Sequence, residues 1–320
     1  MSFSKDVKIE LLTGSDETAD TAFAFLSGLL HGAGEIEKSA QGFKAYIVTD
    51  LNELYQKVNN IVHALYGDYL ELEIEDDYVI NKTTYYRITF PVSIAQSVLL
   101  DAGIIYLQDG GYQLNYGVDS NIVASNEEKI AFLRGAFLGC GTSSIRLSEA
   151  ENVKTTSGYH LELTSHSHEF LTDTAGLLSE FGIFSKLVER KNLYVLYLKE
   201  AEAIKDFLAL MGANQSVLAL SNEMIRREKR NQINREVNCI NANISKTVDA
   251  SMRQIDAINT IISTIGLDSL EDELQEVAML RLANPEESLE GLLNLSTISL
   301  SKSGLNHRLK KLIRIADELK

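Results

Sequence analysis

Ala24-Phe25-Leu26-Ser27-Gly28-Leu29-Leu30-His31-Gly32-Ala33-Gly34 returns later in the chain as Phe132-Leu133-Arg134-Gly135-Ala136-Phe137-Leu138-Gly139-Cys140-Gly141. Each is an apolar helical run with an internal glycine and a G-x-G ending. The internal glycines, Gly28 and Gly135, stand 107 residues apart. Self-similarity of this kind points to a duplicated unit. The flanking sequence agrees. After the first run come a β-rich segment (Phe43–Val48), a helix from about Asp50 to Leu65, strands at Leu70–Ile74 and Thr84–Phe90, and a helix from Val92 to Ala102. After the second come strands at Thr142–Leu147 and Tyr159–Thr164, a helix at Ser167–Phe181, strands at Phe184–Glu189 and Leu193–Leu198, and a helix at Glu200–Met211. Periods near 3.6 mark the helices and a period of 2 the strands, as in Tyr159-His160-Leu161-Glu162-Leu163. Both halves read α-β-β-α-β-β-α.

The expected fold class is therefore α+β: a pseudo-symmetric tandem region over residues 1–214, with repeats at about 18–105 and 125–213, followed by an all-α domain. Between the repeats, Gln108–Ala124 reads as linker, with Asp109-Gly110-Gly111 as a turn signal. Ser125 or Asn126, followed by Glu127-Glu128, caps the second repeat's first helix. Residues 215–250 read as a polar helical connector carrying Arg226-Arg227-Glu228-Lys229-Arg230. Residues 251–320 read as helices throughout: Ser251–Ile265, Ser269–Ala283, a short helix opened by Asn284-Pro285-Glu286-Glu287 and running to Asn294, a turn at Leu295–Leu300, and a last helix from Ser301 to Leu319. Asparagine as N-cap, proline at the first helical position and acids in the first turn are start signals.

The chain has 320 residues, 45% hydrophobic and 23% charged, which excludes a disordered, collagenous or purely coiled-coil protein. Two cysteines, Cys140 and Cys239, make no disulfide framework and no CxxC zinc pair. No segment reads as a signal peptide or membrane span, so a cytoplasmic protein without membrane contact is expected. The net charge of −15 opposes nucleic-acid binding at first sight. It is uneven, however. Residues 223–320 hold 14 basic and 15 acidic residues, and the first 222 carry the remaining −14. A surface for DNA must then lie in the C-terminal third.

There the last helix spaces Leu305, Leu309, Leu312, Ala316 and Leu319 by 4, 3, 4 and 3 residues, one apolar stripe. Ser303, Asn306, His307, Lys310, Lys311 and Arg314 fall opposite, and Ser301 and Lys302 stand at the exposed start as further candidate DNA contacts. Short polar side chains near the start can read base edges, and cations toward the end can neutralise phosphates. Arg308 lies closer to the apolar stripe and could pack instead. A solvated basic face is the plain alternative, but a capped short helix, a turn and a second helix occur here in order, as in a helix-turn-helix.

These stretches resemble the bacterial WhiA family. The resemblance runs nearly end to end. It rests on Met1-Ser2-Phe3-Ser4-Lys5-Asp6-Val7-Lys8-Ile9-Glu10, on Phe132–Phe137, and on Asn234-Arg235-x-x-Asn238-Cys239-x-x-Ala242-Asn243-x-x-Lys246. Its most specific parts are Leu282-Ala283-Asn284-Pro285-Glu286-x-Ser288-Leu289 and Ser301-Lys302-Ser303-Gly304-Leu305-Asn306-His307-Arg308-Leu309. The resemblance implies a LAGLIDADG homing-endonuclease-like region joined to a helix-turn-helix similar to sigma-factor promoter-reading domains. It implies a sequence-specific DNA-binding transcriptional regulator of cell division and chromosome segregation, linked to sporulation in filamentous relatives. Nucleoid association, double-stranded DNA as partner, and transcription or cell-division proteins as further partners follow from it.

In active LAGLIDADG enzymes each motif ends on an acid that binds a divalent cation. Here Ala33 and Cys140 hold those places, and neither supplies hard oxygen ligands. Glu35 could substitute in the first repeat, but Thr142 stands at its counterpart. No catalytic residue, metal, cofactor or small-molecule ligand is expected. A metal-dependent endonuclease with weak residual activity and a division-apparatus interaction protein are the alternatives.

The G-x-G endings follow a helix and precede a strand, the wrong order for a dinucleotide loop. His160, His166 and His168 lack further ligands for zinc and read as surface or capping residues. Cys239 reads as a packed small residue on a helix. Asn234, Arg235, Asn238, Asn243 and Lys246 read equally as a solvated connector and as a second DNA contact or interdomain latch. The acidic balance of the first 222 residues favours a protein-interaction or sensing role over a DNA-binding saddle.

Overall fold

The computed structural model describes residues 2–14, 17–39, 42–75, 83–147, 158–296 and 300–319. The chain divides into two compact units, Met1–Arg227 and Glu228–Lys320.

The first unit is built around the two glycine-containing runs. They form helices α2 (Ala19–Ala33) and α5 (Asn126–Cys140). Capping boxes start both: Thr18 with Thr21 on α2, Ser125 with Glu128 on α5, each satisfying two end amides that the helix itself cannot. A β-carbon on Gly28 would collide with the Phe132 carbonyl, and one on Gly135 with the Phe25 carbonyl. The two backbones touch where both glycines lie, and this reciprocal contact is the pseudo-dyad of the repeat.

Around each helix the same topology is laid down. In the first repeat β1 (Gly34–Ser39), β2 (Gly42–Thr49), α3 (Asn52–Tyr66), β3 (Glu71–Glu75), β4 (Tyr85–Phe90) and α4 (Val92–Asp101) follow in turn. In the second come β7 (Gly141–Ser143), β8 (Leu161–Ser165), α6 (His168–Glu180), β9 (Lys186–Arg190), β10 (Leu193–Leu198) and α7 (Ala201–Met211). Both sheets are antiparallel with equivalent orders, β1-β2-β4-β3 and β7-β8-β10-β9. Alternation along β2 buries Phe43, Ala45 and Ile47, so each sheet lays one face on the helices and shows the other.

Several expectations need correction. Met1–Glu10, to which no element was assigned, belongs largely to α1 (Phe3–Gly14), which buries Phe3, Val7, Leu11 and Leu12. Strand β1 was not legible; its Glu-Ile-Glu-Lys alternation is short and follows α2 directly. The strand expected over Thr142–Leu147 is paired only as far as Ser143. The linker expected over Gln108–Ala124 begins with a hairpin, β5 (Ile105–Gln108) and β6 (Gly111–Leu114). Asp109 and Gly110 both have positive φ there, as two-residue hairpin turns require.

The helical connector expected over 215–250 and the helix expected at Ser251–Ile265 run on without a break. One continuous helix, α8, runs Asn214–Thr264. Its start is held from outside: Glu10 of α1 accepts the amides of Gln215 at 2.6 Å and Ser216 at 2.9 Å. The second unit continues with a short 3-10 turn (Leu267–Ser269), α9 (Asp272–Ala283), α10 (Leu289–Leu295) and α11 (Lys302–Glu318). Its core includes Ile258, Ile261, Leu274, Val277, Leu292, Leu305, Leu309 and Leu312.

Candidate nucleic-acid interface

Helix α11 sets the site. Leu305, Leu309, Leu312 and Ala316 are buried in the second unit's core, and Leu319 is half-buried. Ser301 is the N-cap, its side chain accepting the Gly304 amide at 3.1 Å. The opposite face carries Lys302, Ser303, His307, Lys310 and Arg314, all exposed, while Asn306, Arg308 and Lys311 are half-buried.

The cations of this face fall into two groups. Arg308 is paired with Glu273 and Lys311 with Glu271 at 2.9 Å, both acids lying at the start of α9. Arg308 therefore anchors α11 to α9, the packing alternative noted for it. Lys302 meets Glu290 of α10 at 3.2 Å with both side chains exposed, so this pair is weak and easily exchanged for a phosphate. Among the described residues, Lys310 and Arg314 enter none of the ion pairs found. Those two, with Lys302, Ser303 and His307, are exposed polar groups on the side of α11 away from the core.

The turn before α11 is organised by residues the sequence did not single out. Arg281 is buried at the end of α9, and its Nη1 donates to the carbonyls of Glu287 at 2.8 Å and Asn284 at 3.3 Å. Ser251 of α8 donates to the Pro285 carbonyl. The helix expected to open at Asn284-Pro285 opens four residues later. Asn284 closes α9, its Nδ2 donating to the Leu280 carbonyl at 3.0 Å, and Ser288 caps α10 by accepting the Gly291 amide at 3.1 Å. The start signal was real in kind but stood in the loop clamped by Arg281. An arginine in an ordinary helical pattern gives no sign of burial, and so no sign of that clamp. The turn expected at Leu295–Leu300 lies partly outside the described residues.

Asn234, Arg235, Asn238, Asn243 and Lys246 are all exposed on α8. Cys239, expected to be packed, is also exposed, as are the residues on either side of it along α8. At ~100° per residue Asn234, Arg235, Asn238 and Lys246 share one side of the helix, with Asn243 at its rim.

In the first unit, Ala33 and Cys140 are the last residues of α2 and α5. The Cys140 thiol lies near the Ala136 carbonyl at 3.3 Å, and burial pushes its pKa up to about 12. Glu35 accepts the Tyr46 hydroxyl at 2.5 Å, and Thr142 stands across the pseudo-dyad. Glu162 pairs with His160 at 2.8 Å. Among the described residues no group of three or more His, Cys, Asp or Glu side chains is gathered. The outer face of the first sheet places Glu35, Glu37, Glu71 and Glu73 in register with Tyr46, Lys44, Thr89 and Arg87. That face is acidic. No helix among the described residues is long and apolar enough to cross a membrane.

The fold is thus that of a tandem LAGLIDADG-like protein with a helical C-terminal domain. Comparison with known proteins agrees. Residues 129–230 match the WhiA LAGLIDADG-like domain, and residues 233–316 match the WhiA C-terminal HTH domain. The chain is 39% identical over its whole length to the "Probable cell division protein WhiA" of Thermoanaerobacter pseudethanolicus, of which 98% is covered. It is 37% identical to the protein of the same name from Clostridium perfringens, with 99% of that protein covered. The crystal structure of full-length WhiA from Thermatoga maritima covers the whole chain and 99% of its own, with a TM-score of 0.58 at 24% identity. The chain belongs to the WhiA family.

Proposed function

We propose that this protein is a sequence-specific DNA-binding transcriptional regulator acting in cell division and chromosome segregation, and that it is not an enzyme. The observation that carries the reading is α11: a helix buried along one stripe, capped at its start, with Ser303, His307, Lys310 and Arg314 turned outward. Its first turns enter the major groove, where Lys302, Ser303, Asn306 and His307 meet base edges or flanking phosphates, and Lys310 and Arg314 neutralise phosphates. Lys311 and Arg308 serve mainly to brace α11 on α9. The relatives' printed name supports the cell-division setting, and the match to an HTH domain supports DNA as partner. The protein works on the nucleoid in the cytoplasm, alongside transcription or cell-division proteins. The domain division proposed is a repeat region through about residue 214, the α8 segment, and a DNA-reading domain from about residue 251.

The test is a salt-dependent binding titration against genomic fragments, comparing the native chain with a variant carrying Lys302→Ala, Asn306→Ala and Lys310→Ala. Binding that falls with salt and collapses in the variant supports the assignment. Equal binding by both chains refutes the role of α11. The first unit is read as an inactive endonuclease scaffold with a protein-interaction or sensing role. Its support is Ala33 and Cys140 at the helix ends and the row of glutamates on the first sheet. Nicking of supercoiled plasmid by the purified chain with magnesium would overturn that part.

A further inference from the structure

Helix α8 carries a second feature that the reading above does not use. Ile233, Val237, Ile240, Ile244 and Val248 are 47–58% exposed and spaced 4, 3, 4 and 4, which sets them on one side of the helix at ~100° per residue. The polar set Asn234, Arg235, Asn238 and Lys246 occupies the other side. The backbone here is a poor solvated helix. Asn231, Asn234, Asn238, Asn241 and Asn243, with the β-branched residues between them, all rank low in helix propensity. A helix of that composition is stable when its apolar side is packed.

We infer that residues 233–248 of α8 form an antiparallel two-helix interface with a second copy of this chain. Three observations select that occupant. The 4-3-4 spacing from Ile233 to Ile244 reads the same in both directions, so a reversed copy sets Ile233 against the partner's Ile244 and Val237 against the partner's Ile240. This is a closed, two-fold contact. The flanking positions 234, 236, 241 and 243 hold three asparagines and one glutamate. Reversed pairing sets Asn234 beside the partner's Asn241 and Glu236 beside the partner's Asn243, with no like charges opposed. A parallel pair would instead extend the seam onto Arg230 and Arg226, each facing its own copy. The two stripes together remove on the order of 1,000 Å² from water, the lower end of specific interfaces, so the dimer is concentration-dependent rather than permanent.

The side of α8 that carries Arg235, Asn238 and Lys246 stays free in this pair, with Asn234 at its edge. Ser251, bonded to the Pro285 loop, marks where α8 enters the DNA-reading domain's core. At 1.5 Å per residue the two Ser251 positions lie about 38 Å apart along the helix axis, close to the roughly 34–36 Å of one DNA turn. That consequence, two half-sites about one turn apart, rests on the DNA-binding reading; the dimer itself does not.

The test is sedimentation of the full chain without DNA, from micromolar to a few hundred micromolar. Self-association is expected, weakened at least tenfold by Ile240→Glu and by Ile233→Glu. Met279→Glu, on an exposed apolar residue of α9, should leave it unchanged, and circular dichroism should show the folded unit intact in every variant. Ile233→Glu combined with Ile244→Lys should restore association, because reversed pairing sets the new charges against each other. A chain that stays monomeric throughout overturns the inference, as does a dimer that Ile240→Glu leaves intact or that Met279→Glu also weakens. Failure of the double variant to restore overturns the antiparallel register. Because no DNA is present, none of these outcomes depends on whether α11 binds it.

Discussion

Gly28 and Gly135 meet each other's helix through bare backbone, and no other residue type fits there. Gly28→Ala or Gly135→Ala forces a methyl into a carbonyl of the facing helix. Since neither backbone can yield without disturbing both sheets, each change should destabilise the first unit by about 3 kcal/mol or more. A urea midpoint measured on the native and variant chains checks this. His31 behaves differently. Its Nδ1–H donates to the Ser27 carbonyl at 2.9 Å, its ring stacks on Phe170, and burial lowers its pKa. The unfolded chain therefore takes up a proton on this residue, near pH ~6.5, before the folded chain does. The stability contributed is complete above that pH and is lost as pH falls toward the depressed folded value. His31→Gln should flatten the decline in melting temperature between pH 7 and pH 5. An unchanged decline would assign the effect to other groups.

At the scale of elements, α8 depends on a carboxylate outside it. Glu10 occupies the helix's start by accepting two of its free amides, with the Ser216 hydroxyl as a third donor at 2.6 Å. Glu10→Ala removes a charge-assisted cap and should cost about 1–3 kcal/mol, read as faster hydrogen exchange in the first turns of α8. Helix α11 depends likewise on what surrounds it. Its apolar stripe was legible in the spacing of Leu305, Leu309, Leu312 and Ala316, and so was its polar side. Which cations on that side are engaged was not legible, because Glu271 and Glu273 are distant in sequence and meet Lys311 and Arg308 only after α9 and α11 pack. DNA affinity should therefore separate them. Lys310→Ala and Arg314→Ala should each lower the slope of log affinity against log salt by about 1, while Lys311→Ala should lower it less.

Over the whole molecule, charge divides the labour. The acidic excess lies in the first 222 residues and the near-balanced remainder carries the cationic helix face. Charge reversal of Glu71 and Glu73 to lysine, on the sheet's acidic face, should leave specific binding within about twofold if α11 is the reading element, since interactions across solvent at salt are screened beyond ~8 Å. A large gain in sequence-independent affinity alone would show what that face normally repels.

The sequence by itself determined the duplicated α/β plan apart from strand β1, the pair of repeated helices with their internal glycines, the cap at Ser125 and the apolar stripe of the last helix. Each depends on residues close in the chain, where period and spacing report geometry directly. Only the tertiary structure decided the remainder. Helix α8 runs unbroken through what reads as a connector because Glu10 holds its start and the C-terminal core holds its end. The last short helix begins at Leu289 because Arg281, buried 2% exposed, ties down the carbonyls of the loop before it. The outward cations of α11 are those that no acid of α9 reaches. For α8 and α11 the partners are tens to hundreds of residues away, and for Arg281 the carbonyls are near in sequence but its burial comes from the surrounding core, so which partner a polar group finds is settled by packing and not by local pattern.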